Sequence, residues 1–536
     1  MQQEDPWWQH GVFYQIYPRS FMDANGDGVG DLQGIIDRLD YVAELGVDAI
    51  WISPIFASPM VDYGYDVTDH EDVHPMFGDL ATFDRLVAAA HERNLRVVLD
   101  YVPNHTSDQH PWFTASRSSR RNPRRHWYLW RDAKPDGSPP NNWEAIFGGP
   151  AWEWDEETQQ YFLHLFLKEQ PDLNWRNPEV VAAMHHVLRF WLDRGVDGFR
   201  MDAVMYCVKH PDFPDNPPLE NGSPYGALGL TLEPVYIKNQ PEIHEILRVF
   251  RGIIDSYDGA RVMIGETWIF DPVDLVKYYG KNQDELHIPF NFICMATPWN
   301  AELMKHTIAT YYDAMPKGAT PNFVFGSHDV HRIASRFRPE NHRSVGMLLL
   351  TLWGIPTMYY ADELGLEDVE VPPASRQDPW GKDTPDLNLS RDPARTPMQW
   401  DASPNAGFSP PDGEPWLPVA GNFREVNVAV QRIDPASTLN FYKALLRFRR
   451  ETPALHHGDF SFTDGVPAGI LAYVRSAEGQ RVLVIINFDR LERTLDLSVL
   501  SRSGQVLLST QEGRSDELVL SELLVKPHES LLIHLA

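Results

Sequence analysis

Gly34-Ile-Ile-Asp-Arg-Leu-Asp-Tyr-Val-Ala-Glu-Leu-Gly46 is followed at once by Val47-Asp-Ala-Ile-Trp-Ile-Ser53. Ile35, Ile36, Leu39, Val42 and Leu45 recur at helical spacing, so residues 34–45 predict an amphipathic helix that Gly46 ends. Ala49 to Ser53 is a short apolar run of strand length. Upstream, Val12 to Tyr17 reads as another strand. Downstream comes a helix capped by Asp79, carrying Phe83, Leu86, Val87 and Ala90, and then the strand Arg96 to Val102. Strand, helix, strand, helix, strand at this pitch predicts parallel βαβ units.

The alternation breaks over residues 104–175, which are rich in Pro, Asn, Trp and Arg and lack periodicity. A stretch of that size inside a compact domain predicts an inserted subdomain. Order resumes at Pro178, a favoured first helical residue, with Val180, Met184, Val187, Leu188 and Trp191 as the apolar stripe and Gly195 closing it. Further strands are expected at Gly198–Val204, Val262–Gly265, Leu286–Phe290, Asn322–Phe325 and Thr357–Tyr360. The total is eight, the number that closes a (β/α)8 TIM barrel. A second irregular stretch, 370–425, precedes a helix at Leu439–Arg450. From residue 457 the runs Ile470–Val474, Val482–Ile486 and Leu531–Leu535 read as period-two strands of an antiparallel β-domain. The expected organisation is an α/β fold: a barrel from 1–103 and 176–456, an insert at 104–175 after strand three, and a β-domain at 457–536.

At 536 residues the chain exceeds one hydrophobic core. Its 75 acidic and 47 basic residues give a net charge of −28, which excludes nucleic acid as a partner. The five arginines between Arg117 and Arg125 read as a solvated loop. Two cysteines, Cys207 and Cys294, form no disulfide framework or thiolate metal motif. No apolar run is long enough to span a membrane. The polar, acidic start, Met1 to Asp5, is unlike a signal peptide, so a cytoplasmic protein is expected.

Several expected barrel strands end in polar clusters: Asp100-Tyr-Val-Pro-Asn104-His105, Gly198-Phe-Arg200-Met-Asp202, Ile264-Gly-Glu266 and Gly326-Ser-His328-Asp329. Active sites of such barrels lie at these strand ends. Arg200 and Asp202, two apart, face one side of a strand. An ion-pair network could account for any one of these acids. Three acids at the tops of separate strands, with two histidines beside them, point instead to cleavage of a glycosidic bond, which needs a carboxylic acid for the leaving oxygen and a carboxylate for the anomeric carbon.

These segments resemble the four conserved regions of the α-amylase family, glycoside hydrolase family thirteen, and the resemblance runs from Phe13-Tyr-Gln-Ile-Tyr-Pro18 into the β-domain. It implies a retaining mechanism with Asp202 as nucleophile, Glu266 as general acid/base and Asp329 as transition-state stabiliser. Asp62, Tyr65, His105, Arg200, His328 and Arg391 would line the pocket for the terminal glucose, with Arg395 nearer the leaving-group sugar. Arg391-Asp-Pro-Ala-Arg395-Thr-Pro-Met-Gln-Trp400 and Gln170-Pro-Asp-Leu-Asn-Trp175 are similar to the oligo-1,6-glucosidase/α-glucosidase branch. One departure is Ser327, where the family usually carries Asn.

Ala203 after the nucleophile accompanies α-1,4 rather than α-1,6 preference in this branch, so short α-glucosides such as maltose, sucrose and maltooligosaccharides are the expected substrates, with transglucosylation when a sugar replaces water. Asp23, Asn25, Asp27 and Asp31, with the Val29 carbonyl, space oxygen ligands two apart. Gly34 replaces the glutamate an EF-hand requires, so the expectation is one structural Ca2+ or Mg2+ in a loop after strand one, and no organic cofactor. A polar turn would use the same residue types. His185 and His186 read as a solvated pair on a helix, and Cys207 as an unreactive thiol. The rival readings are a trehalose synthase-type maltose mutase, an oligo-1,6-glucosidase, and a catalytically silent relative acting as a binding subunit. A monomer or homodimer is expected.

Overall fold

The computed structural model describes residues 5–383, 389–514 and 516–536. Residues 1–4 of the polar start, and 384–388 of the long irregular stretch, lie outside the described residues. Eight parallel strands form one sheet: β1 (Phe13–Ile16), β2 (Ala49–Ile52), β3 (Arg96–Tyr101), β4 (Gly198–Met201), β5 (Val262–Gly265), β6 (Ile288–Pro289), β7 (Asn322–Val324) and β8 (Ile355–Tyr359), in the order β6-β5-β4-β3-β2-β1-β8-β7. The ladder ends at β6 and β7, and one side chain spans the gap. Asn322 accepts from the Asn291 amide at 2.8 Å and donates to the Pro289 carbonyl. The barrel interior is filled by Phe13, Ala49, Trp51, Val98, Val262, Ile264, Ile288, Val324 and Ile355.

The connecting helices are α1 (Leu32–Leu45), α2 (Leu80–Glu92), α3 (Pro178–Asp193), α4 (Ile243–Asp255), α5 (Ala301–Ala314), α6 (His342–Thr351) and α7 (Thr438–Glu451). Their starts follow from capping chemistry. Asp79 accepts from the Thr82 amide, Asn177 from Glu179 with Pro178 behind it, and Asp31 from Gly34. Asp31 extends α1 two residues upstream of the expected start. The β5–β6 connection is one short helical turn and a 3-10 segment, Pro272–Tyr279. The fourth strand stops at Met201 rather than at Val204, because Ala203 turns into the left-handed region at φ 45° and a 3-10 turn follows. The sixth covers only Ile288–Pro289.

Between β3 and β4 the insert carries a helix, Pro111–Ser118, and a three-stranded antiparallel sheet in the order Trp130–Arg131, Gln160–Leu163, Trp152–Asp155. Its basic cluster is tied down locally. Arg117 pairs with Asp155 at 2.7 Å, and Arg125 lies over Trp130 at 3.4 Å. The carboxyl-terminal sheet comprises β9 (Asp459–Phe462), β10 (Ile470–Ala477), β11 (Gln480–Asn487), β12 (Ser503–Ser509), β13 (Glu517–Val519) and β14 (Ser530–Leu535), in the order β9-β10-β11-β14-β12-β13. The expected period-two alternation is absent from β10 and β11. Leu471, Tyr473, Val482 and Val484 join the main core, while Ile470, Ala472, Leu483 and Ile485 face a second core within the β-domain. Both faces are buried, so both are apolar.

Candidate active site

The strand ends meet at one mouth. Arg200, at the end of β4, is wholly buried and holds three carboxylates. One arm donates to Asp100 at 2.7 Å and to Asp202 at 2.6 Å, and the other reaches Glu266 at 2.8 Å. Glu266, one residue past β5, also accepts from the Ala203 amide at 2.8 Å and from Trp268 Nε1 at 2.9 Å. The left-handed turn at Ala203 is what aims that amide at Glu266. Burial pushes the Asp202 carboxyl well up, Glu266 and Asp100 push it further, and Arg200 opposes them. Burial likewise carries Asp100 up to about 6 against the pull of Arg200. Three acids around one guanidinium therefore favour retaining a proton within the group.

On the opposite wall, Asp329 is held by Arg395 at 3.2 Å and Arg391 at 3.4 Å. Burial alone would raise its carboxyl. The guanidiniums of Arg391, Arg395 and Arg200 offset this and keep it well below the usual carboxylate range. Ser327, the departure from the family pattern, accepts from the Asp329 amide at 3.2 Å and so braces the backbone there. Gln15 Nε2 lies 2.7 Å from His328 Nδ1, which leaves the His328 proton on Nε2, 2.7 Å from Tyr65 OH. Tyr65 in turn donates to Asp100 at 3.3 Å. Burial keeps His328 neutral. Asp62 accepts from Arg391 at 2.8 Å and from Gln170 at 3.2 Å.

A cavity of about 270 Å³ opens onto these groups. Asp62, Tyr65, His105, Asp202, Ala203, Glu266, Asp329 and Arg391 line it. Arg200, His328 and Arg395 stand behind it, each almost fully buried and bonded to a lining residue. Arg395, placed by sequence nearer a leaving-group sugar, is stacked under Tyr17 and donates to the His328 carbonyl at 2.8 Å. Its observed contacts make it a support for Asp329.

Some functional contacts escape sequence reasoning. Asp378 grips Arg391 through both carboxylate oxygens, at 2.7 Å to Nη2 and 2.7 Å to the Arg391 amide. It lies in the irregular stretch, where no periodicity marks it. Lys209 forms a wholly buried pair with Asp172 at 2.5 Å and donates to Asn104 at 2.9 Å, and Asn104 in turn meets His105 Nδ1 at 3.1 Å. Burial carries His105 down to about 3, so it is neutral. Gln15 had a usable signal: an amide inside an otherwise apolar strand needs a partner.

The 23–31 loop is self-bonded. Asp23 accepts from Gly26 and Gly28, Asn25 from Asp27, Asp27 from Val29, and Asp31 from Ala24, Asn25 and Gly34. Among the described residues no three His, Cys, Asp or Glu side chains converge as a ready cation site. The donors are nevertheless all hard oxygens, each with lone pairs left over, which is the chemistry Ca2+ and Mg2+ take. His186 is exposed near Glu71, and burial pushes the Cys207 thiol well up, so neither joins the site. Among the described residues no helix is long and apolar enough to cross a membrane.

A parallel eight-stranded barrel whose mouth holds two carboxylates across one guanidinium defines a (β/α)8-barrel glycoside hydrolase. The α-amylase catalytic-domain model matches residues 15–458, and the chain belongs to the α-amylase family. A probable α-glucosidase of Rhizobium meliloti (strain 1021) is 42% identical over 509 residues, which cover 92% of this chain and 91% of the relative. The oligo-1,6-glucosidase of Parageobacillus thermoglucosidasius is 36% identical over 565 residues, covering 98% of each chain. Among solved structures, the α-glucosyl transfer enzyme XgtA superposes with a TM-score of 0.91 at 39% identity, covering 99% of this chain and 100% of that one.

Proposed function

We propose that this chain is a retaining α-glucosidase that releases terminal glucose from short α-glucosides, with Asp202 as nucleophile and Glu266 as acid/base. The observation that carries the reading is the shared grip of Arg200 on both carboxylates. Two carboxylates on the two arms of one guanidinium fit the ~5–5.5 Å separation of a retaining pair better than the ~6.5–9.5 Å of an inverting one. Asp202 attacks the anomeric carbon while Glu266 gives its proton to the departing oxygen. Glu266 then takes a proton from water, or from an acceptor hydroxyl, as the glucosyl–Asp202 bond breaks. Asp329, kept ionised by its arginines, stabilises the developing positive charge. Asp62, His105 and Arg391 bind the hydroxyls of the terminal glucose.

Ala203 lines the cavity beside Asp202 and Glu266, and its small side chain leaves the leaving-group side open, which supports α-1,4 preference. A product-resolved time course on maltose and isomaltose tests this. Glucose should appear faster from maltose. Faster cleavage of isomaltose would overturn the linkage assignment, and trehalose accumulating from maltose would replace hydrolysis with isomerisation. The reading includes one structural Ca2+ or Mg2+ held by Asp23, Asn25, Asp27, Asp31 and the Val29 carbonyl, supported by that hard-oxygen donor set. It also places the enzyme, as a monomer or homodimer, in the cytoplasm, supported by two buried, unpaired cysteines.

A further inference from the structure

The sequence holds two Asn-Gly pairs, Asn25-Gly26 and Asn221-Gly222. Glycine has no Cβ to keep its amide nitrogen away from the preceding side chain, so an asparagine before glycine cyclises more readily than one before a bulkier residue. The fold treats the two pairs differently. At the first, both reacting groups are engaged: the Gly26 amide donates to Asp23 at 2.6 Å, and the Asn25 side chain accepts from the Asp27 amide at 2.9 Å. At the second, Asn221 and Gly222 are the central residues of an exposed β-turn closed by one bond, from the Ser223 amide to the Glu220 carbonyl at 3.1 Å. Among the described residues no hydrogen bond engages the Asn221 side chain or the Gly222 amide. Gly222 has φ 84°, and a Cβ there would meet nothing within 4 Å.

The turn lies in the connection from β4 to α4, between a fixed part and a part that shapes the active site. Leu219 donates to the Thr231 carbonyl at 3.0 Å, and Glu144 of the insert accepts from the Thr231 and Leu232 amides at 2.9 and 3.0 Å. On the other side the 3-10 helix Pro224–Leu228 begins, whose Tyr225 and Leu228 line the cavity. We propose that Asn221 is a self-modification site, converting to aspartate and isoaspartate through a cyclic imide while Asn25 is protected, and that the change reaches the cavity through Pro224–Leu228. The steps balance. The Gly222 nitrogen attacks the side-chain carbonyl carbon of Asn221, and the side-chain nitrogen leaves as ammonia with the proton Gly222 sheds. Water then opens the imide at either carbonyl. Isoaspartate routes the backbone through the side-chain carbon, which puts an extra methylene inside the turn and mismatches the Ser223–Glu220 bond. Either product adds a negative charge near Glu220 and Glu233, whose carboxylate accepts from the Glu220 amide at 3.1 Å.

The test incubates the whole protein in mildly alkaline buffer, native and in guanidinium chloride, and reads the amide-to-acid mass increase in tryptic peptides. Peptide 210–238 holds one other asparagine, Asn216, which Pro217 blocks because proline has no N–H, so a gain there reports Asn221. Peptide 20–38 reports Asn25, located by fragmentation. The two should convert at similar rates in the unfolded chain. In the native protein Asn25 should be slower by about tenfold or more, because its hydrogen bonds must open first. Similar native rates, or Asn221 unconverted while the unfolded chain reacts, overturn the proposal. The activity arm rests on the α-glucosidase reading: kcat/KM on maltose should fall several-fold in converted wild type and hold in Asn221→Gln incubated alike. Converted wild type that keeps pace with Asn221→Gln overturns the link to the cavity. No turnover of maltose, isomaltose or sucrose by fresh protein sinks the glucosidase reading, while the mass readings still decide the modification.

Discussion

Arg200 explains why the site needs its surroundings. One guanidinium serves Asp100, Asp202 and Glu266, so the cluster carries more negative than positive charge when all three acids ionise. Because burial, Glu266 and Asp100 all raise the Asp202 carboxyl, the nucleophile is protonated, and inactive, at pH values where a free aspartate is ionised. The acid limb of kcat/KM, which reports the free enzyme, should therefore fall above the ~3.9 of an unperturbed Asp. A pH–rate profile with its acid limb at or below that value would contradict the charge arrangement. At this scale the sequence was informative wherever a charged side chain interrupts a buried strand, as at Arg200, or ends one, as at Asp202 and Asp329. It was silent about Asp378 and Lys209. Their roles depend on which loops meet in space, and neither sits in a periodic segment. It also could not distinguish a residue that lines the cavity from one that braces it, as Arg395 does.

Elements are fixed by polar side chains at their ends. Asn322 bridges β6 and β7 where the strand ladder is interrupted, and its neighbours there are buried. Asn322→Ala leaves the Asn291 amide and the Pro289 carbonyl without that partner, and should destabilise the fold by about 2–3 kcal/mol, read as a lower denaturation midpoint. A change within ~0.5 kcal/mol would mean that the barrel closes without it. Asp31 has two assignments that can be separated. It caps α1 through the Gly34 amide at 2.7 Å, and it is one of the proposed cation ligands. Asn caps as well as Asp, but its NH2 cannot accept from the Ala24 and Asn25 amides as Asp31 Oδ2 does, so Asp31→Asn should lower the Tm of the chelator-treated protein and, from that new baseline, abolish the rise in Tm on adding Ca2+ or Mg2+. An unchanged cation-dependent rise would remove Asp31 from the ligand set, and no rise in the wild type would leave the loop as a self-capped turn. Strand ends were hard to read because apolar runs continue past the last ladder bond. Gly198–Val204 reads as one strand, yet the positive φ of Ala203 ends it at Met201.

The whole molecule is a barrel with an insert over its mouth and a β-sheet against its flank, carrying a net charge of −28. The eight-strand count was legible because parallel strands and their helices repeat at a regular pitch. The β-domain was legible from its position and lack of helices, but not from alternation, since β10 and β11 are buried on both faces. Like charges on one compact body repel, and salt screens them beyond ~8–10 Å. Tm at pH 7 should accordingly rise as NaCl goes from low concentration toward 1 M; a flat or falling Tm would show that the surface acids are already balanced locally. The most direct test of the central claim follows, by proton NMR and before mutarotation, the anomeric form of the glucose released from sucrose, whose leaving group is fructose, so that every glucose seen is the transferred unit. Asp202 and Glu266 working as a retaining pair predict that α-glucose appears first. Initial release of β-glucose would mean inversion, and would contradict the assignment of Asp202 as nucleophile.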